Sequence, residues 1–238
     1  IETASRNQNS LLISSTPMVV RSLQGIFPQS FRDLKPIGTV IADYSAFVVA
    51  KNSSLKSWSD LVKAYLDSPK SVKIAGGSVR GSTDHFIIAK ALQLIGGNPR
   101  QVIYIPYDGG GKAMAGILTG ETQALSTGLS EAIEMHRAGE ARIIAVSAPQ
   151  RLIEAPEIPT LRELGVDLNF ANWRGFFAAP GLSVERYAMM SRTLQELTRT
   201  PEFDQIRSRN GWSDLRVFDE DFYAFLENQE LEIGTLMR

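Results

Sequence analysis

The residues with the clearest capacity for chemistry lie in Gly76-Gly77-Ser78-Val79-Arg80-Gly81-Ser82-Thr83. This small-residue loop joins an apolar strand pattern (Val72, Ile74, Ala75) to a helical one (Phe86, Ile87, Ala89, Ala91, Leu92, Ile95). A glycine loop that opens a helix gathers unpaired backbone N–H groups at the positive end of the helix dipole, which suits an anion. A nucleotide-hydrolysing loop needs a lysine before its final Ser or Thr, and Ser82 stands in that place, which argues against nucleotide chemistry. The dinucleotide pattern fails because Gly76 and Gly77 are adjacent, and the nucleophile elbow fails at Arg80. Ser82, Thr83, Asp84 and His85 are successive residues at the start of one helix, so they point in different directions and imply no triad. Ser82 and Thr83 read better as helix-cap hydroxyls that could also donate to a ligand oxygen. His85 reads as packed or solvent-facing, with ligand contact a lesser alternative. A turn that needs glycine for geometry alone also explains the loop, and that reading stays open.

Gly109-Gly110-Gly111 precedes a second helix and offers another nest of exposed N–H groups. Three successive glycines carry an entropic cost, so close approach to a ligand and a purely structural turn are both live explanations. Lys112 and Arg80 flank the two loops and could favour carboxylates, or could be solvated charges. Arg174, in Asn172-Trp173-Arg174-Gly175, is an unusual residue for a strand between apolar runs. It could reach a cleft; pairing with a carboxylate at a domain junction is the favoured reading. Met189-Met190 and Phe222, Phe225 and Leu226 have helical spacing and read as core.

The elements that must carry these loops follow from periodicity and punctuation. Strands are expected at Ser10–Ser14, Pro36–Ile41, Ala46–Ala50, Gln101–Ile105, Thr122–Leu125, Arg142–Val146 (parallel-type) and Phe170–Ala178. Helices are expected at Met18–Leu23, after the Ser57/Asp60 cap, at Lys112–Leu118 and Leu129–Ala138, after the Thr160/Glu163 capping box, from Ser183 to about Arg199, after Thr200-Pro201, and at Asp219–Met237. Strands alternating with helices argue for α/β architecture with mostly parallel sheets. A strand, a Ser/Thr/Gly loop and a helix recur near residues 14–17, 75–83, 106–112 and 126–130. In open parallel sheets ligands sit beyond the carboxyl ends of the strands, so four such loops without an evident acid–base pair suggest a binding cleft.

Composition narrows the classes. Lys and Arg number 25 against 26 Asp and Glu, with no basic run, so nucleic acid is not the expected partner. There are no cysteines and only two histidines, His85 and His136. Thiolate or histidine metal centres and cysteine nucleophiles are therefore not expected, nor is any cofactor. No apolar run approaches the ~20 residues that span a bilayer, so the sequence reads as soluble. The 238 residues suffice for one large domain or two small ones. IETASRNQ reads as the interior of a longer protein, a mature or truncated product without a signal peptide.

Four segments together resemble the solute receptors of tripartite tricarboxylate transporters, also called Bug-type receptors. They are IAGGSVRGSTDHFIIAKAL, the run from YIPYDGGGKAMAG to IIAVSAPQRL, IPTLRELGVDLNFANWRGFFAAPG and TPEFDQIRSRNGW. The resemblance covers nearly the whole chain. It implies a periplasmic, two-lobed "Venus flytrap" protein of type II periplasmic-binding fold, without enzymatic activity, that captures a small di- or tricarboxylate and delivers it to a membrane permease. It also implies that about 60–70 residues of a family member are missing before SLLIS. On this reading lobe one is 1–50 and 174–238 and lobe two is 51–173, and the protein is a monomer. By position, Ser15-Thr16 would be a lobe-one ligand loop and Asp43-Tyr44 would lie near the crossover. Gly76 to Thr83 (with Gly77, Ser78, Gly81 and Ser82), Pro106 to Gly111 (with Tyr107, Gly109 and Gly110) and Thr127-Gly128 would form the lobe-two wall. Many members have Asp or Asn around Thr127-Gly128, and many tricarboxylate-type members have Glu where Lys112 stands. An α/β enzyme using Asp84 and His85 on a carboxylated or phosphorylated metabolite, and a receptor-fold sensor domain, are the alternatives.

Overall fold

The computed structural model of the chain describes residues 10–237. Ile1 to Gln8, read above as the interior of a longer protein, lies outside them. Contacts divide the chain into two compact units. Unit 1 holds the described residues up to Ala42, then Asn172–Arg209 and Ser213 onward; unit 2 holds Asp43–Ala171 and Asn210–Trp212. The first division falls at Ala42/Asp43, inside a strand and eight residues before the end of that strand at Ala50.

In unit 1, β1 (Leu12–Ser15) pairs antiparallel with β7 (Ala171–Ala178). The first part of β2 (Lys35–Ala50) pairs antiparallel with β8 (Ser213–Phe218). Helices α1 (Pro17–Leu23), α6 (Val184–Leu197), α7 (Pro201–Arg209) and α8 (Asp219–Leu236) complete the unit. Ser183 caps α6 by accepting from the Arg186 N–H. The core is aromatic: Trp173 packs edge-on against Phe222 and Phe225, and Phe177 lies 5.5 Å from Phe222 between ring centres. Phe222 and Leu226 are buried as expected, but Met189 is 56% exposed, because it lies off the face of α6 that buries Ser191 and Leu194.

Unit 2 is built on β3 (Lys73–Gly76), β4 (Ile103–Pro106), β5 (Ala124–Gly128), the second half of β2, and β6 (Ala141–Val146). Strand β3 runs parallel to β4 and β5, whereas β2 runs antiparallel to β5 and β6. The expectation of mostly parallel sheets therefore holds around β3 and fails around β2. The apolar run of β6 signals burial on both faces, which periodicity cannot distinguish from parallel pairing. Helices α2 (Trp58–Asp67), α3 (Thr83–Leu94), α4 (Gly110–Leu118) and α5 (Leu129–Arg137) join these strands. On α2, Trp58, Leu61 and Tyr65 are buried, the stripe expected of an amphipathic helix, and the Ser57 hydroxyl accepts from the Asp60 N–H.

Three further expectations change. Residues 36–50 form one strand rather than two, because the polar residues between the halves find partners: the Ser45 N–H donates to Ser147 Oγ and Asp43 accepts from Ser130. The strand shifts register at Thr39/Ile41 and Phe47/Val48. Strand β8, SDLRVF, has no counterpart in the sequence reading. The Thr160/Glu163 box does form, with each backbone N–H donating to the other's side chain, but it closes a turn rather than a helix.

Candidate functional site

In unit 2 the parallel register sets Gly76 of β3 beside Pro106 of β4, so the loops after them start side by side. Backbone bonds stitch them together: Tyr107 N–H donates to Gly76 O at 2.8 Å and Gly109 N–H to Gly77 O at 2.9 Å. A Cβ on Gly77 would lie 2.6 Å from the Gly110 nitrogen, so glycine is required for this contact. Gly109 adopts φ 98°, which disfavours other residues. Gly110 lies so close to the Glu131 carboxylate that a Cβ would overlap it, whereas Gly111 faces open space. The three consecutive glycines thus serve three different demands, and only the first two need glycine.

Helix α4 starts at Gly110, two residues before the expected Lys112, and has no side-chain cap. Ser126-Thr127-Gly128, expected as a loop, is the end of β5, leading directly into α5. Within unit 2 the contacts join Gly77 to Gly109 and Gly110, Gly110 to Glu131, and Glu131 to Thr127; Ser78, Gly81, Ser82 and Thr83 follow Gly77 in the chain, and Gly128 follows Thr127. Asp43 and Tyr44 come close through β2, since a Cβ on Gly128 would overlap the Asp43 carboxylate.

Carboxylates occupy this loop cluster. Asp43, only 4% exposed, accepts from the Ser130 N–H at 3.2 Å and the Ser130 hydroxyl at 2.6 Å, so it caps α5. Glu131 accepts from the Thr127 hydroxyl. Asp84, in the first turn of α3, is raised to about 6 by burial. Hydrogen bonds from the Ser78 side chain and the Gly77 N–H oppose that rise, while Glu131 and Asp43 add to it. The loop that reads as an anion cradle in sequence thus already holds an anion of its own.

Tyr104 is the main support that sequence reasoning missed. It is fully buried, donates its hydroxyl to Ser78 O at 2.8 Å, and fills the space a Cβ on Gly76 would need. Burial pushes it up to about 12. Its signal was faint, a tyrosine inside a short apolar strand. His85 stacks on it with ring centres 4.7 Å apart, and His85 Nδ1 accepts from the Gly81 N–H at 3.1 Å. Burial and Arg80 lower the His85 pKa, which favours the neutral ring, and the ring is packed, as the sequence suggested. Ser82 occupies the N-cap position of α3 but makes no cap bond, and its Oγ is buried without a partner. Tyr44 and Tyr107 pack against the unit 2 core, and burial raises both, Tyr107 to about 12. Arg80 donates to Tyr104 O at 2.9 Å, and Lys112, well exposed, pairs with Asp108 at 3.0 Å.

In unit 1, Ser15 stands opposite Arg174 in the β1–β7 register, and Thr16, fully buried, accepts from the Trp173 N–H at 3.3 Å. Arg174 does not make the expected carboxylate pair among the described residues. Its guanidinium donates instead to the carbonyls of Asn172 and Trp173. The Asn172 Oδ1 is buried without a partner. Among the described residues no group of three His, Asp or Glu side chains is placed to hold a metal ion, and no helix is long and apolar enough to cross a membrane.

Two α/β units joined through a shared crossover strand, with glycine loops gathered at strand ends, define a solute-receptor type of fold. The family is specific: residues 11–238 match the tripartite tricarboxylate transporter family receptor (TctC), and the chain belongs to that family. Protein BugT of Bordetella pertussis is 27% identical over 219 residues, covering 91% of this chain and 66% of its own length. The chain spans between 52% and 66% of the length of the curated relatives it matches. Among solved structures, MatC from Rhodopseudomonas palustris with bound malate superposes with TM-score 0.83 at 14% identity, covering 99% of this chain and 82% of that one. Rpa4515 from the same organism, with adipate, gives 0.81 at 18% identity, covering 99% and 81%. These likenesses establish the type II periplasmic-binding fold.

Proposed function

We propose that this chain is the periplasmic receptor of a tripartite tricarboxylate-type transporter, and that as a monomer it captures a small di- or tricarboxylate for a membrane permease without transforming it. The family match across residues 11–238 carries this reading. The malate and adipate held by two proteins of the same fold support the ligand class. The ligand-binding set is Ser15 and Thr16 in unit 1 with Tyr44, Gly77, Ser78, Gly81 to Thr83, Tyr107, Gly109 to Gly111, Thr127 and Gly128 in unit 2, and the two units correspond to the receptor's lobes. The geometry around Asp84 and His85 favours binding over catalysis. His85 Nδ1 is taken by the Gly81 N–H and Asp84 is held by Gly77 and Ser78, which leaves no relay between the two. Titration calorimetry with malate, adipate and citrate, with the ligand assayed afterwards by mass spectrometry, tests the reading. Saturable binding with ligand recovered unchanged is expected. Turnover abolished by His85→Ala would overturn the reading.

A further inference from the structure

We propose that unit 1 carries a docking trough for an extended segment of another protein that bears lysine or arginine. This partner surface goes beyond the carboxylate reading and uses none of its ligand-binding residues. Two adjoining cavities, of 840 and 340 Å³, share Tyr187, Gln195 and Asp219. The larger, in the size range of a built ligand pocket, lies between α6, the end of β8 and the first turn of α8, with Lys35 of β2 in its wall. All of these residues belong to unit 1. Among the described strands β8 pairs only with β2, so its second edge has no strand partner, the condition for strand addition. The trough runs past the last three residues of that strand.

Charge selects the occupant. Arg216, which lines the larger cavity, is answered by Asp204 at 2.6 Å and Asp214 at 2.9 Å. Asp219, Glu220 and Asp221 fill the first turn of α8, and no described cation forms an ion pair with them. The helix end offers these three carboxylates only about half a positive charge. Lys35 is the other cation of that cavity, its Nζ 5.2 Å from the centre of the Tyr187 ring. Burial, then Asp219 and Glu220, raise the Tyr187 pKa, so the field of both acids reaches the ring. Arg192 lines only the smaller cavity. The α8 end of the trough therefore keeps a surplus of negative charge beside an aromatic wall that already holds one ammonium group. Val184, 75% exposed, stands in the same cavity with Val217 and Phe218 and adds apolar contact. A chain that alternates apolar and basic side chains matches both features.

The test titrates the full chain with two labelled synthetic peptides, acetyl-GVKVRVKG-amide and acetyl-GVEVEVEG-amide, and with free lysine amide, reading fluorescence anisotropy for the peptides and calorimetry for lysine amide. Two variants accompany it: Ala188→Arg, which puts bulk and like charge on an exposed position of the trough wall, and the double change Glu220→Gln with Asp221→Asn. Saturable binding of the basic peptide alone is expected. Each variant should weaken it roughly 5- to 20-fold, the loss of one or two partly exposed charge contacts, with melting temperatures unchanged. Equal binding of the two peptides, no binding of the basic one, or affinity untouched in both variants overturns the proposal. Lysine amide binding as tightly as the peptide overturns it too, since the trough would then be a small-cation site. Weakening that follows a lowered melting temperature in both variants makes these residues structural and also overturns it. So does self-association of the parent chain that Ala188→Arg abolishes, because a second copy would then be the occupant.

Discussion

Replacing Asp84 with asparagine should stabilise the protein at neutral and higher pH and do little in acid. The carboxyl titrates at about 6 rather than near its ordinary 3.8, so folding favours its protonated form. The sign follows. Well below the ordinary 3.8 the group is protonated in both folded and unfolded chains and contributes no penalty. As pH rises from 4 towards 6 the unfolded chain loses its proton first, and the folded state is progressively destabilised. Above about pH 7 the penalty is complete, at about 3 kcal/mol from 1.36 kcal/mol per tenfold. Asparagine keeps an acceptor for the Gly77 N–H and the Ser78 hydroxyl but cannot ionise, and it removes one of three neighbouring negative charges. Denaturant unfolding of the parent and Asp84→Asn at pH 4.5, 6 and 8 is the assay. The stability difference should grow with pH in favour of the variant and level off above pH 7. A difference that is flat across this range, or one that favours the parent at pH 8, would refute the picture of a carboxylate buried against Glu131 and Asp43.

Other substitutions probe the supports of the same loops and the two cores. Gly109→Ala should destabilise by roughly 1–2 kcal/mol because the residue sits at φ 98°, whereas Gly111→Ala, with open space around it, should be neutral or stabilising by roughly 0.5–1 kcal/mol; thermal melts of the pair separate the two roles. Ser147→Ala should cost about 1–3 kcal/mol in denaturant unfolding, since the buried hydroxyl accepts from the Ser45 N–H at 2.9 Å and donates to Phe170 O at 2.6 Å. Phe222→Ala should cost roughly 3–5 kcal/mol, because the ring is fully buried against Trp173 and Phe177; near-ultraviolet circular dichroism should show the loss of Trp173 asymmetry.

Local signals in the sequence were sufficient for the glycine loops, the Ser57, Thr160 and Ser183 caps, and the buried face of α8, because each rests on residues within one or two turns of one another. What the sequence could not show is non-local pairing. Nothing near Gly110 announces that Glu131 will lie against its Cα, and nothing near Gly128 announces Asp43, 85 positions earlier. Strand β8 was missed because its partner, the first half of β2, lies far away in the chain. The same limit shaped the chemical reading. A glycine loop at a helix N-terminus is an anion site by its backbone, and the sequence supported that much. Asp84, one residue into the helix that the loop opens, bends back to take the Gly77 N–H and the Ser78 hydroxyl itself. The positive ends of α3 and α5 are therefore already answered by Asp84 and by Asp43 with Glu131. An external anion at those helix ends would have to use donors that these acids leave over.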